Sequence, residues 1–470
     1  MSRYLLAPVR PNGIQFLYSH LMKAVKILLT GALAIASQQL SAQKAAWRDT
    51  TSRIVIPELK YKLNPSGSHY LKATLVSQIW ARYSEMNPGS RIYDTPVNAY
   101  ADLGIRRLRI QAFGQLTDRI FFYTQFGMNN FNFLAKRNVG SYFHDVVTEY
   151  RIIPQLSIGG GLTGWSGLSR FASPGVGSIM GIDAPLYQQA TNGTTDQFLR
   201  KLSVYAKGQI GRLDYRVALT SPQAYQNTVA SAAPLAIGKD AQFSLAAPKM
   251  QEQAYVFWQF FDKEANSLPY TTGTYLGKKK VFNIGAGFIH QPDAMWFLGD
   301  NNDTISADML LFGADAYLDM PVNRNGSAIS AYVAFSDFRM GHNYLRNNSA
   351  MNPANGVGSN ASFNGAGISF PMIGTGQTLY GQFGYKFKDN LLGDNGTLMP
   401  YITAQYSQFQ KLIDPMLLFS GGINWFIHGT HQGKLTLDYQ SRPVFNAAPA
   451  GELLQTSRKG VIALQYQVSL

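Results

Sequence analysis

The chain has 470 residues, 46% of them apolar but only 14% charged, against roughly a quarter charged in soluble globular proteins. Its 41 Lys and Arg outnumber 27 Asp and Glu, and it has no cysteine, which excludes disulfides, thiol nucleophiles, zinc–thiolate sites and a lipidated N-terminal cysteine. No low-complexity or Pro/Ser-rich linker divides it, and nothing after residue 42 approaches the roughly 20 consecutive apolar residues of a spanning helix. If the chain crosses a membrane, it does so as strands.

The first element is the apolar run Ile27 to Ala36, preceded by Lys23 and Lys26 and followed by small residues. A basic n-region, an apolar core too short to span and a small-residue tail predict a cleaved secretory signal, with the cut after Ala42 or after Ala36. Residues 1–42 are thus read as an upstream extension plus signal, with Met22 the initiator, and residues 43–68 as an N-terminal periplasmic segment. Residues 1–42 carry Arg3, Arg10, Lys23 and Lys26 and no acid, so the remainder holds 37 bases against 27 acids.

From residue 69 onward the chain alternates apolar and polar residues with period two, the signature of strands with one oily and one wet face. In chain order the expected strands are 69–83, 103–114, 119–128, 145–152, 155–163, 199–209, 212–220, 252–261, 281–290, 309–318, 327–335, 378–387, 399–408, 416–427, 434–441 and 460–470. These are sixteen spans, each about the 9 to 11 residues that cross a bilayer when tilted. Short turns at 115–118, Pro154, Gly211, 323–326 and 428–432 alternate with longer connections at 129–144, 164–198, 221–251, 336–377 and 442–459. The 263–280 connection is longer than a standard turn, and the further candidate strand 361–370 is assigned to a loop, which keeps the number even.

One face of each strand is too apolar for water: Ile120, Phe122 and Phe126; Val256, Trp258 and Phe260; Leu417, Phe419, Ile423 and Trp425. A soluble two-sheet sandwich would also bury such faces. The signal, the low charge and the alternating loop lengths favour an all-β, 16-stranded antiparallel transmembrane β-barrel over residues 69–470. The closing strand 460–470 should then pair with 69–83.

A charge at mid-bilayer on the lipid face would cost roughly 2–4 kcal/mol, so the polar face is placed inward. It carries Arg107, Arg109, Tyr123, Arg151, Lys201, Tyr205, Lys207 and Arg216, together with Gln111, Gln125, Glu149, Asp214, Lys434 and Asp438. Bases outnumber acids there, which predicts a lumen that concentrates anions; the alternative for any one of them is a wall charge paired with Asp145, Glu149, Asp214, Asp315 or Asp438. Loop 164–198 is rich in glycine and apolar residues and is expected to fold inward, offering Arg170, Ser173 and Asp183 as solute contacts, the alternative being a cap on the outside.

Two stretches resemble the phosphate-selective porin O/P family. One is Arg106-Arg-Leu-Arg-Ile-Gln-Ala-Phe-Gly-Gln-Leu-Thr-Asp-Arg-Ile-Phe-Phe-Tyr-Thr-Gln-Phe126. The other is Met399-Pro-Tyr-Ile-Thr-Ala-Gln-Tyr-Ser-Gln-Phe409, continued by Ser420-Gly-Gly-Ile-Asn-Trp-Phe-Ile427 and Lys434-Leu-Thr-Leu-Asp-Tyr439. The resemblance implies a 16-stranded homotrimeric outer-membrane porin whose third extracellular loop folds inward. The turn His428-Gly-Thr-His431 and the terminal Leu470 depart from the family pattern, and no regular lysine ladder is present, so the implied function is general passage of small anionic solutes, with phosphate among them.

Catalysis has no support. No Gly-x-Ser-x-Gly, P-loop or His-Glu-x-x-His occurs, and His428 and His431 share a turn without a third ligand, so no metal or cofactor is expected. Exported strands without a basic cluster also argue against nucleic acid as a partner. The competing reading is an outer-membrane scaffold or plugged transporter that acts through its loops and partner proteins.

Overall fold

The computed structural model describes residues 58–135, 141–165, 167–225, 239–449 and 451–470. The expected upstream extension and signal over 1–42, and residues 43–57 of the expected N-terminal segment, lie outside them.

Sixteen strands form the wall: β1 Tyr70–Glu85, β2 Ala99–Gln115, β3 Ile120–Phe131, β4 Tyr142–Ile153, β5 Leu156–Thr163, β6 Lys201–Ile210, β7 Leu213–Ser221, β8 Gln251–Gln259, β9 Val281–Leu298, β10 Thr304–Pro321, β11 Ala328–Arg339, β12 Gly376–Lys386, β13 Thr397–Phe409, β14 Met416–Phe426, β15 Gly433–Ala447 and β16 Leu453–Ser469. Each pairs antiparallel with its sequence neighbours, and β16 closes on β1 from Val76↔Ser469 to Ser84↔Val461. Closure leaves no ladder edge, the condition for a sheet to stand in lipid. Every expected span is a strand, and the closing pair is the one expected.

Because the strands alternate direction, the connections sort to two ends. One end carries 86–98, 132–141, 164–200, 222–250, 299–303, 340–375, 410–415 and 448–452, and the other carries 116–119, 154–155, 211–212, 260–280, 322–327, 387–396 and 427–432. Four strands run well past their expected limits: β9 and β10 have 18 residues each, β15 continues to Ala447 and β16 starts at Leu453. The alternation marks only the part of a strand whose two faces meet different media; at the start of β10, Thr304, Ile305 and Ser306 are all exposed, and the pattern fades. For the same reason the expected long connection 442–459 is mostly strand, with only 448–452 as its turn.

The outward face is apolar and open: Ile79, Val146, Leu202, Val204, Val217, Trp258, Ile284, Phe312, Ile402, Phe419, Leu437, Ile462 and Leu464 are all exposed. A water-facing surface seldom carries a contiguous apolar patch beyond a few hundred Å². A belt encircling the wall therefore matches a hydrocarbon surround, whose cost for polar groups is met by the closed ladders. The core lies inside the wall, where Leu168, Phe171, Tyr187, Tyr317, Tyr332, Phe338 and Tyr380 pack together. Segment 340–375 folds at the long-loop end, with the small ladder Leu345–Asn348 against Phe370–Gly374. Its residues 361–369 are not barrel strand, as expected. Outside the wall order, Leu59–Lys62 pairs with β1 from Leu59↔Ala73 to Lys62↔Tyr70, covering the stretch of β1 edge that the chain end at Leu470 leaves open.

Candidate functional site: a basic cavity in the lumen

Two connections enter the barrel from opposite ends. The backbone of 164–200 meets inward-facing side chains around the wall: Gln78 donates to the Val176 carbonyl at 3.1 Å, Gln467 to Gly177 at 2.8 Å, Lys434 to Ile179 at 3.0 Å and Asn424 to Met180 at 2.9 Å. Glycines make the approach possible. A Cβ on Gly287 would lie 2.6 Å from the Leu168 nitrogen, and one on Gly313 would lie 2.5 Å from the Leu168 oxygen, so β9 and β10 present bare backbone where Leu168 crosses them. Leu168 itself has φ of 83°, a left-handed conformation that a γ-branched residue holds only under tight packing.

The 260–280 connection rises from the short-turn end. Lys207 donates to the carbonyls of Asn266 and Ser267 at 2.6 and 3.0 Å, Arg216 to that of Pro269 at 3.2 Å, and Tyr270 to Asp145 at 2.6 Å. The two connections also bind each other. Thr271 N donates to Ser173 O at 2.9 Å and Gly175 N to Thr271 O at 2.8 Å. Arg170 forms a two-point ion pair with Glu264 at 2.7 and 2.6 Å, with its guanidinium carbon 3.6 Å from the Tyr317 ring centre. Burial pushes the Glu264 carboxyl up, but Arg170 outweighs it and holds the group below its ordinary value. The length of this connection was visible in the sequence; its path into the lumen was not.

These two segments sort the expected pore-lining residues into three sets. Arg170, Lys207, Arg216 and Tyr205 are occupied with the inward segments or with local acids: Lys207 pairs with Glu149 at 2.8 Å, Tyr205 donates to Glu149 at 3.1 Å and Arg216 lies 3.4 Å from Asp214. Lys201 is likewise buried, 2.8 Å from Gln251, 3.0 Å from Thr191 and 3.8 Å from Asp196, while Tyr123 accepts from Gln125 at 2.8 Å. Arg151 is exposed at the short-turn rim, on the last inward position of β4. Of the expected residues, only Arg107 and Arg109 line a cavity that opens inside the wall. Of the loop candidates, Asp183 sits beside that volume, and Ser173 is turned back onto the Gly164 carbonyl.

That volume is a cavity of about 480 Å³ lined by Arg106, Arg107, Arg109, Arg200 and Arg346, with Asp196 the one acidic residue on its wall. A β-bulge creates part of the cluster. Gln78 pairs with Arg107 but Ile79 with Ile105, so Arg106 is the extra residue and turns inward beside Arg107. Both clasp Asp183, Arg106 at 2.6 Å. Burial raises the Asp183 carboxyl, and the two guanidiniums more than reverse this, holding it low and ionised. Arg200 lies 3.5 Å from Asp145.

Arg109 and Arg346 have no such counter-charge among the described residues. Arg109 donates to the carbonyls of Leu108 and Met128 at 3.0 and 2.8 Å and to the Asn129 amide oxygen. Arg346 donates to Ala190 O at 2.8 Å, and its Nε is buried without a partner among the described residues. Phe198 and Leu199, which also line the cavity, have φ of 52° and 71°, so the wall there is held in a strained turn. Burying cations without carboxylates costs several kcal/mol each in the absence of an anion, and the arrangement can therefore draw anions from solution. Sequence reasoning missed Arg106, Arg200 and Arg346. A break in alternation at Arg106-Arg107 was the available signal for the first, and Arg346 lies on the four-residue ladder strand Leu345–Asn348, too short to carry a periodic signal. Among the described residues no cluster of three His, Asp or Glu could hold a metal.

No family model and no curated protein matches the sequence. Among solved structures, the chain is similar to the outer membrane channel DcaP of Acinetobacter baumannii, with 10% identity over 86% of this chain and 99% of that one and a TM-score of 0.46. It is similar to Pseudomonas putida OprB, with 10% identity over 85% and 94% and a TM-score of 0.48. It is also similar to the trimer form of OmpT, an outer membrane protein of Vibrio cholerae, with 9% identity over 85% and 99% and a TM-score of 0.42. The barrel rests on the strand pairings themselves rather than on these likenesses.

Proposed function

We propose that the chain is an outer-membrane porin that lets small, preferentially anionic solutes diffuse passively, phosphate among them, and that it works as a homotrimer, as the family resemblance implies. A closed barrel with a lipid-compatible belt supports the membrane setting. The observation that carries the anion preference is the pair Arg109 and Arg346, two buried guanidiniums without carboxylate partners among the described residues, facing a cavity of about 480 Å³. Arg106, Arg107 and Arg200 add to the positive potential, which raises local anion concentration and entry rate.

A second reading, a plugged transporter, is favoured by the 260–280 connection, which occupies the short-turn half of the lumen. Reconstitution in planar bilayers under a steep KCl gradient tests both. Ohmic current with a chloride-selective reversal potential, reduced by added phosphate, is expected of the porin. A cation-selective potential would refute the anion assignment, and no current from correctly folded protein would establish the plug.

A further inference from the structure

The two ends of the barrel are charged differently. At the long-loop end the exposed bases among the described residues, Lys239, Lys249 and Arg339, each pair with a carboxylate, Asp300, Asp293 and Asp337 respectively. Exposed Asp94, Asp303 and Glu452 add further negative charge there.

The short-turn end is the reverse. Arg119, Arg212, Lys263, Lys280, Arg324 and Lys388 are exposed on five different turns, and none forms an ion pair with a carboxylate among the described residues. The same turns expose only Asp118, Asp262 and Asp394, and Asp118 is bridged to His69 at 2.9 Å. These bases sit at the level of lipid-facing aromatic rings. Arg119 lies 5.9 Å over Tyr150, Arg212 donates to the Phe260 and Phe261 carbonyls at 2.8 Å, the Phe260 and Phe282 rings are 5.0 Å apart, and Lys388 follows the exposed Phe387. Aromatic rings of this kind settle at the boundary of hydrocarbon and headgroups, so the bases above them stand where phosphate groups lie.

We propose that the short-turn rim binds anionic phospholipid headgroups, anchoring the barrel to the leaflet it reaches through its turns. This rests on the reading of the wall as lipid-embedded, and charge complementarity identifies the occupant. Each base facing a headgroup favours an anionic lipid about fivefold over a zwitterionic one at low salt.

Trp258 and Trp425 lie near this rim and report on it. The full chain carrying W47F and W296F would be folded into vesicles containing brominated phosphatidylglycerol or brominated phosphatidylcholine, and tryptophan quenching compared. The expected result is a severalfold preference for the anionic lipid that falls with added NaCl, disappears in R119Q/R212Q/K263Q/K280Q/R324Q/K388Q and survives K239Q/K249Q/R339Q. Equal quenching by the two lipids in folded protein overturns the proposal, as does a preference that the six rim substitutions leave intact. Should the six-fold variant not fold, the salt titration of the parent decides in its place. Retention on soluble polyglutamate without lipid preference would assign the rim to an acidic polymer and overturn the lipid assignment. Failure of the folded protein to enter any vesicle would sink the membrane reading as well, which separates the two failures.

Discussion

Replacing Glu264 by Gln isolates the clasp between the two inward segments. Glu264 accepts both arms of the Arg170 fork, the Tyr275 hydroxyl at 2.7 Å and the Asn283 amide. Arg170 is 2% exposed, and beyond Glu264 its fork finds only the Thr272 carbonyl, at 2.7 Å. E264Q leaves this guanidinium buried without a counter-charge and aims an amide donor at one of its donors, which costs about 3–5 kcal/mol. The wall does not bear that cost, because its ladders are untouched. It falls on the docking of 260–280, whose remaining anchors to Lys207, Arg216, Asp145 and Asp319 are worth about 1 kcal/mol each. Local opening around Lys263 should therefore rise by about a hundredfold or more, while heat-modifiable migration in gels stays that of a folded barrel. Trypsin cleavage after Lys263, read by mass spectrometry, gives the opening, and single-channel current gives its effect on passage, expected to increase. R170M/E264M removes both charges and should recover most of the lost docking. Unchanged cleavage and unchanged current in E264Q would refute the clasp.

Other outcomes follow from single features of the lumen. R109Q and R346Q each remove one uncompensated charge, worth about 0.8 kcal/mol toward a monovalent anion at about 5 Å in a water-like dielectric, so reversal potentials should move toward zero with anion preference falling about fourfold per substitution before salt screening. His431, in the turn 427–432, is held down to about 3 by burial and by Lys434, with Nδ1 unpartnered among the described residues and Nε2 3.1 Å from the Thr274 carbonyl. A histidine with a folded pKa below its unfolded value stabilises fully above about 6.5 and loses that contribution as pH falls toward 3. Because the ring keeps some solvent contact, the loss by pH 5 is set at about 1 kcal/mol, seen as a lower urea midpoint that H431N does not show. The Glu264 and Asp183 carboxylates have the opposite proton balance to fear only in stronger acid: held low, they stabilise above about 4.3 and lose this as pH falls through their lowered values. G287A would drive a methyl into the Leu168 backbone at 2.6 Å, costing about 1–3 kcal/mol and exposing 164–200 to protease.

The wall was legible because a strand between lipid and lumen must alternate, and every one of the sixteen spans does so for at least part of its length. Ends were less so. Strands β15 and β16 run on to Ala447 and from Leu453, in a region read as loop, since two faces in the same surroundings leave no alternation: residues 441–445 are buried on both faces, and 455–457 are exposed on both. The inward charges were legible as a set for the same reason the wall was. The wall acids Glu149 and Asp214 were legible as partners too, and they meet Lys207 and Arg216; Glu264 and Asp183 were not, because they reach Arg170 and Arg106 only on irregular segments.

Lys207 and Arg109 show what that difference means for function. In sequence both are basic residues at inward positions of wall strands, Arg109 on β2 and Lys207 on β6. In the folded chain Lys207 meets Glu149 and two carbonyls of the 260–280 connection, so its charge is spent on holding that connection. Arg109 meets only neutral acceptors and faces the cavity. A count of lumen bases therefore overstates the field a solute meets, since a neutralised pair contributes little beyond its own length. What matters is the residue of cations left after the inward segments have taken theirs. That remainder includes Arg346, which no wall strand supplies. Selectivity should accordingly follow R109Q and R346Q, whereas K207Q should act on the stability of the 260–280 docking and leave the sign of the reversal potential unchanged.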